Sequence, residues 1–288
     1  MIKLFTENSS AEISPLGAEL KSLKFGTTEY LWQGDSIHWD ESAPVLFPIV
    51  GALRDNHTYI DGKEYSIPKH GFAKNMLFEV SEQSESSVTL TIHETEETLA
   101  CYPYKFRFSV RYELESFSLR TTFIVENLDD REMLFCVGGH PGINIPLFAG
   151  ENFGDYTVIF EKEENISCPK VDLTQCLINP TEEEFHLTGN TIALRHNLFS
   201  TDALIFDEPK SESLAIVNRE GHGVKVNFAE FPMIALWSSS DSGNFVALEP
   251  WQGCATLTTE GDIFAEKTHA LRLNSCERKE LGFVLEIM

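Results

Sequence analysis

The chain reads as an all-β protein, a large antiparallel β-sandwich with few short helices, and three observations carry that expectation. The dominant hydrophobic period is two, clearest where Phe106, Phe108, Val110, Tyr112 and Leu114 alternate with Arg107, Ser109, Arg111 and Glu113. Further runs of this kind recur at short spacing, with turn residues between them. No long amphipathic stretch of period 3.6 is present, which disfavours a parallel sheet built with crossover helices. All-β folds of 288 residues commonly form one unit, and no repeat or Pro/Gly/Ser-rich linker divides the chain. A single domain over 1–288 is therefore expected.

The elements follow in order. Thr58-Tyr59-Ile60 and Lys63-Glu64-Tyr65 flank Asp61-Gly62, a pair that supplies the positive φ of a type I′ hairpin turn. Val88, Leu90 and Ile92 alternate as a half-buried strand. Thr95 to Cys101 has room for one or two helical turns before Pro103. The strand over 106–114 is followed, after a break at Ser116, by Leu119, Thr121, Phe123 and Val125, so the two should pair antiparallel. Tyr156, Val158 and Phe160 form another strand, and the acidic run from Glu161 to Glu164 reads as its solvated edge. Thr181-Glu182-Glu183-Glu184 has the form of a helix start, an N-cap threonine with acids in the first turn. Strands are expected again at 204–206, 214–217, 224–228, 245–248 and 283–285.

Charge and motifs exclude several function classes. The chain has 22 Lys+Arg against 45 Asp+Glu, a net charge of −23, which is unsuited to a phosphate backbone or an anionic membrane. It lacks an apolar run of about 20 residues, and its first residues do not resemble a secretory signal. Its six cysteines include no C-x-x-C pair and read as free thiols of a cytoplasmic protein. Phosphate-binding loops, a G-x-S-x-G elbow and zinc-ligand spacings are missing, so neither metal nor cofactor is implied.

What remains is a set of polar residues in apolar or tightly turned contexts. Arg54 ends the nearly uncharged run 46–53, as a surface residue or as a fixed donor to oxygen ligands. His70 lies in Lys69-His70-Gly71-Phe72, and His140 in Val137-Gly138-Gly139-His140-Pro141-Gly142, where three glycines and a proline suggest a backbone bent around the ring. Asp202 and Asp207 compete at the two ends of one strand. Glu249 ends the apolar run 245–248 beside Trp251, and acids in such places are rarely buried unless used or paired. Two histidines, an arginine, one or two carboxylates and nearby aromatics (Trp251, Phe72) suit proton transfer on a polyhydroxylated neutral ligand.

In these residues the chain resembles the compact bacterial branch of the aldose 1-epimerase (galactose mutarotase) family. The resemblance is carried by 13–22, by 29–35 with Trp39, and by Leu46-Phe47-Pro48-Ile49-Val50-Gly51, His70-Gly71-Phe72-Ala73, Gly138-Gly139-His140-Pro141, Asp202-Ala203-Leu204-Ile205-Phe206 and Glu249-Pro250-Trp251. It implies the galactose mutarotase-like supersandwich, with a sugar in an open cleft on one sheet. It further implies Glu249 as general base, His140 as general acid, and Arg54, His70 and Asp202 as substrate-holding groups; Trp251 is expected to pack on the sugar. Two departures stand out: Lys74 where arginine is common, and Ile143 where many relatives carry an aromatic.

The expected activity is cofactor-free anomer interconversion of a neutral hexose such as galactose or glucose. Charged Glu249 and charged His140 would stand on opposite sides of the anomeric centre, with nearby carboxylates raising the histidine's pKa. The alternatives are a noncatalytic sugar-binding protein, an epimerase of a phosphorylated sugar, and a glycosidase using Asp202 and Glu249. The expected partner is a small sugar, and the choice between monomer and homodimer is left open.

Overall fold

A computed structural model describes residues 1–239 and 242–288. Two antiparallel sheets dominate. The larger has nine strands in the order Leu177–Ala193, Thr157–Asp172, Ser213–Val217, Gly223–Asn227, Arg278–Ile287, Ser118–Asn127, Phe106–Leu114, Ser87–His93 and Glu79–Gln83. The smaller has the order Leu204–Asp207, Met233–Trp237, Phe245–Gln252, Val137–Gly139 and Val45–Leu46, with Gly142–Asn144 also paired to Phe245–Gln252. Alternation in the larger sheet turns Phe106, Phe108, Val110, Tyr112, Phe123, Val226, Phe283 and Leu285 into the main core. There Phe47 stacks on Phe108 at 4.3 Å, and Phe160 meets Phe206 at 4.9 Å, which joins the two layers.

The smaller sheet is buried on both faces, and its alternation produces two apolar clusters. Leu204, Phe206, Ile234, Leu236, Val246 and Leu248 enter the main core. Ile205, Met233, Ala235 and Trp251 belong to a second cluster on the other face. Val171 and Ile178, near the tip of the long Thr157–Asp172/Leu177–Ala193 hairpin, close over that second face. The strands of this sheet therefore read as unbroken apolar runs, because both faces pack against other parts of the chain.

The expected all-β sandwich is what the structure has, and most expected strands fall within observed ones. The Asp61-Gly62 hairpin forms with both central residues at positive φ. The only α-helix among the described residues, Glu96–Cys101, starts at Thr95, which forms a capping box with Thr98. Two local readings are corrected. Thr181–Glu184 starts no helix but lies within the strand Leu177–Ala193. There the Thr181 hydroxyl donates to Asn179 Oδ1 at 2.7 Å, and Lys170 pairs with Glu182 across the hairpin; cross-strand pairing outweighs the local capping signal. Glu164 is not part of a solvated edge: it is buried and accepts hydrogen bonds from the Ser211 backbone and hydroxyl. All six cysteines are free.

Candidate active site

The second face of the smaller sheet is the floor of a cavity of about 330 Å³. Gly138 pairs with Trp251, and Gly142 with Ala247, in one continuous register, so His140 falls opposite Glu249. His140 Nε2 lies 3.0 Å from Glu249 Oε2. The contact is short but not aligned as a hydrogen bond; His140 Nδ1 and Glu249 Oε2 are both buried without hydrogen-bond partners. The glycines around His140 serve close approach. A Cβ on Gly138 would sit 2.9 Å from the Trp251 ring, one on Gly142 2.8 Å from the Trp39 ring, and one on Gly139 2.7 Å from Phe283 in the core. None of these three has positive φ, so space rather than a left-handed turn calls for glycine here.

Burial acts on both members of the pair. It pushes His140 down to about 3, with the Lys69 and Lys74 charges adding to the shift. It drives Glu249 well above its usual 4.5, with Asp202 as a neighbouring negative charge. The expectation that carboxylates would raise His140 is therefore reversed, because desolvation disfavours both charged forms. Burial thus favours the uncharged form of each group, a carboxylic acid beside a neutral imidazole. The two groups also stand side by side rather than on opposite sides of a substrate.

His70 reaches the cavity from a β-turn in which Gly71 N–H donates to the Pro68 carbonyl, and both His70 and Gly71 have positive φ. Its Nδ1 accepts from Gly51 N–H at 3.2 Å, which leaves Nε2 as the protonated nitrogen of the neutral ring. Burial holds its pKa well below 6.5, reinforced by His140, Lys69 and Lys74. Asp202 also lines the cavity, at φ 107°, a strained backbone for a residue with a side chain. Asp207 instead lies outside the cavity lining and contacts His269 at 2.8 Å.

Arg54 is a correction: it does not line the cavity. Its guanidinium donates to Asp262 at 2.7 Å and to the Leu257 and Glu260 carbonyls, pinning the 257–262 loop. Phe72 packs into the core against Phe47 and Phe106. Ile143 points away from the cavity, being one residue out of phase with His140 and Gly142 and a member of the main core. Trp251 lines the cavity as expected, with its indole nitrogen buried and unpartnered.

Sequence reasoning gave no site role to Trp39, Trp237, Glu41 and Lys69. Trp39 lies 4.8 Å from the His140 ring and Trp237 5.7 Å, forming an aromatic wall. Trp237 sits in an apolar run that carries no face signal. Trp39 sits in a short loop closed by mutual backbone bonds with Asp35, which only the fold brings over the sheet. Lys74 pairs with Glu41 at 2.9 Å. Lys69 is exposed at the cavity and has no hydrogen-bond or ion-pair partner among the described residues.

The candidate site is thus a buried histidine–carboxyl pair beneath an aromatic wall, on the smaller of two packed sheets. Comparisons with known proteins show the family. The aldose 1-epimerase family model matches residues 1–267. The plasmid-encoded protein LacX of Lactococcus lactis subsp. lactis is 34% identical, over all of this chain and 99% of its own length. The structure of a galactose mutarotase related enzyme from Lactobacillus acidophilus superposes with a TM-score of 0.92 at 30% identity, covering 100% of this chain and 97% of that one. A galactose mutarotase-like protein from Lactobacillus casei gives 0.90 at 28% identity, with both chains fully covered. The chain belongs to the aldose 1-epimerase family.

Proposed function

We propose that this protein interconverts the α and β anomers of a neutral hexose such as galactose or glucose, with Glu249 and His140 as the proton-transfer pair. One observation carries the reading: the two groups meet at 3.0 Å, buried, on the floor of the cavity. The two oxygens of a hemiacetal share one carbon, so adjacent protein groups can address both at once. One group takes the proton of the C1 hydroxyl while the other gives a proton to the ring oxygen. The C1–O5 bond breaks, C1–C2 rotates, and closure on the other face runs the transfers backwards. The pair holds one proton. Carboxylate with imidazolium and carboxylic acid with imidazole are its two tautomers, and each transfer converts one into the other. The His70 Nε2–H and Asp202 hold hydroxyls, and the tryptophans pack on the sugar's C–H face.

Polarimetry on fresh α-glucose and α-galactose tests this. Glu249→Gln should bind sugar and lower turnover by about 10²–10⁴, the usual cost of losing a general acid or base. Unchanged turnover sinks the assignment, and binding without any acceleration by the parent protein favours a noncatalytic sugar binder. A second reading, a phosphorylated sugar, is favoured by Lys69 alone, which lines the cavity without an ion-pair partner among the described residues. It ranks lower because Lys74 is already engaged by Glu41 and Arg54 by Asp262. Glucose 6-phosphate in the same panel separates the two.

A further inference from the structure

The aromatic wall beside His140 is assembled from two separate segments. Trp39 belongs to a loop that follows the N-terminal strands, whereas Trp237 and Phe245, which it packs against, belong to Met233–Trp237 and Phe245–Gln252 of the smaller sheet. A polar row joins the two segments. His38 Nδ1 lies 3.0 Å from the Asp35 carboxylate, and His38 Nε2 lies 3.0 Å from the hydroxyl of Ser242, just ahead of Phe245–Gln252. We propose that His38 is a positioning residue: held between Asp35 and Ser242, it locks the Trp39 loop to the strand that carries Glu249. The proposal rests on the reading above that a sugar binds over Glu249 and His140.

The geometry of the loop supports it. The Asp35 carboxylate also accepts from the Ile37 and His38 backbone N–H groups, so one side chain fixes both the turn and the ring. A carboxylate can only accept, so Nδ1 carries the ring proton and Nε2 of the neutral ring accepts from the Ser242 hydroxyl. Asp35 and Trp39 exchange backbone hydrogen bonds of 2.8 and 3.1 Å, which places His38 and Trp39 in one tight turn. The root of the loop is held by Trp32, whose N–H donates to the Gly142 carbonyl and whose indole donates to the Trp39 carbonyl. Across the cavity, Trp39 meets Trp237 at 5.5 Å and Phe245 at 5.3 Å. The apolar part of such packing has no preferred direction, whereas a hydrogen bond does, so the His38–Ser242 contact sets where the ring stops. The row has the nitrogen order of a hydrolytic triad, but none of its members lines the cavity, so it acts on a sugar through Trp39.

The test separates the two ends of the ring. In His38→Asn the amide still reaches Asp35 but stops short of Ser242; in His38→Gln it reaches Ser242. The KM for glucose and galactose should rise about three- to fivefold in His38→Asn with kcat within about twofold, in keeping with the loss of one hydrogen bond. His38→Gln should rescue KM to within about twofold of the parent. On a Trp39→Ala background the His38→Asn effect should vanish, because His38 acts through that ring. Equal effects on both backgrounds, or a KM unchanged in His38→Asn, overturn the proposal. Calorimetric affinity for the same sugars follows this cycle without turnover. The same pattern in affinity, with no anomer exchange by the parent, supports the lock and overturns the mutarotase reading alone. Near-ultraviolet circular dichroism needs no sugar. The Trp39 contribution, taken as the difference on Trp39→Phe, should weaken in His38→Asn and persist in His38→Gln. A Trp39 contribution unchanged in His38→Asn overturns the lock whether or not any sugar binds.

Discussion

Replacing Glu249 with glutamine should change how stability depends on pH, and the sign follows from the burial of the pair. The folded protein holds the Glu249 proton well above 4.5, first because of burial and then because of Asp202. It lowers His140 from 6.5 to about 3, again first by burial. Each shift makes stability pH-dependent between the unfolded and folded values. The unfolded chain binds the His140 proton more tightly, so stability is lost as pH falls from 6.5 towards 3. The folded chain binds the Glu249 proton more tightly, so stability is lost as pH rises above 4.5. Each full proton is worth about 1.4 kcal/mol per pH unit. Above 4.5 the two slopes oppose each other for as long as the folded protein keeps the Glu249 proton. Below 4.5 only His140 acts, and the loss down to pH 3 is about 2 kcal/mol. Above 6.5 His140 no longer contributes. Glu249→Gln removes the Glu249 slope alone. The variant should therefore gain on the parent by about 1.4 kcal/mol per pH unit from pH 5 upward, for as long as the folded parent keeps its proton. Urea unfolding of both proteins at pH 5, 6 and 7 measures the gap, because the other titrating groups cancel in the difference. Parallel stability curves would mean that the carboxyl ionises in the fold as it does in the unfolded chain, and would refute the desolvation argument.

Other expectations concern single side chains. Arg54→Ala should lower unfolding stability by about 1–3 kcal/mol, because two carbonyls and Asp262 lose their donor; denaturation should register this, with kcat/KM for any sugar within about twofold of the parent. Gly71→Ala would place a Cβ 2.0 Å from the Phe47 carbonyl oxygen at φ 75°. It should destabilise by more than about 2 kcal/mol and displace His70, seen as a lower melting temperature together with a raised KM. Trp39→Ala removes a ring 4.8 Å from His140, and should raise KM by up to about tenfold in steady-state polarimetry, given about 0.5–1.5 kcal/mol for an aromatic contact.

Period-two alternation was enough to find the strand Phe106–Leu114 and its partner, because a half-buried sheet face writes its register directly into the sequence. The Asp61-Gly62 turn and the Thr95 cap were equally local, each resting on the conformational preference of one or two residues. Thr181–Glu184 carried the same kind of local signal and was overruled, since a strand 17 residues long gains more from its cross-strand partner than a cap offers. Glu164 was hidden in a charged run, and its burial is set by Ser211, 47 residues away.

The candidate site divides along the same line. His140, Glu249, His70, Asp202 and Trp251 stood out from their neighbours as polar or aromatic residues in apolar, turned or strand-end contexts, and all five line the cavity. Arg54 had the same appearance but is held by Asp262 at a distance of 208 residues in sequence, which no local pattern reports. Trp39, Glu41 and Lys74 line the cavity only because one short loop and one turn are carried over its floor from outside the sheet. The sequence by itself determined the period of the strands, the turns and which polar residues stand out as site candidates, because these depend on neighbours along the chain. Only the tertiary structure decided that His140 and Glu249 share one register position, and that burial favours the uncharged form of each. Register between strands more than 100 residues apart, and access to water, are properties of the packed sheets rather than of any segment.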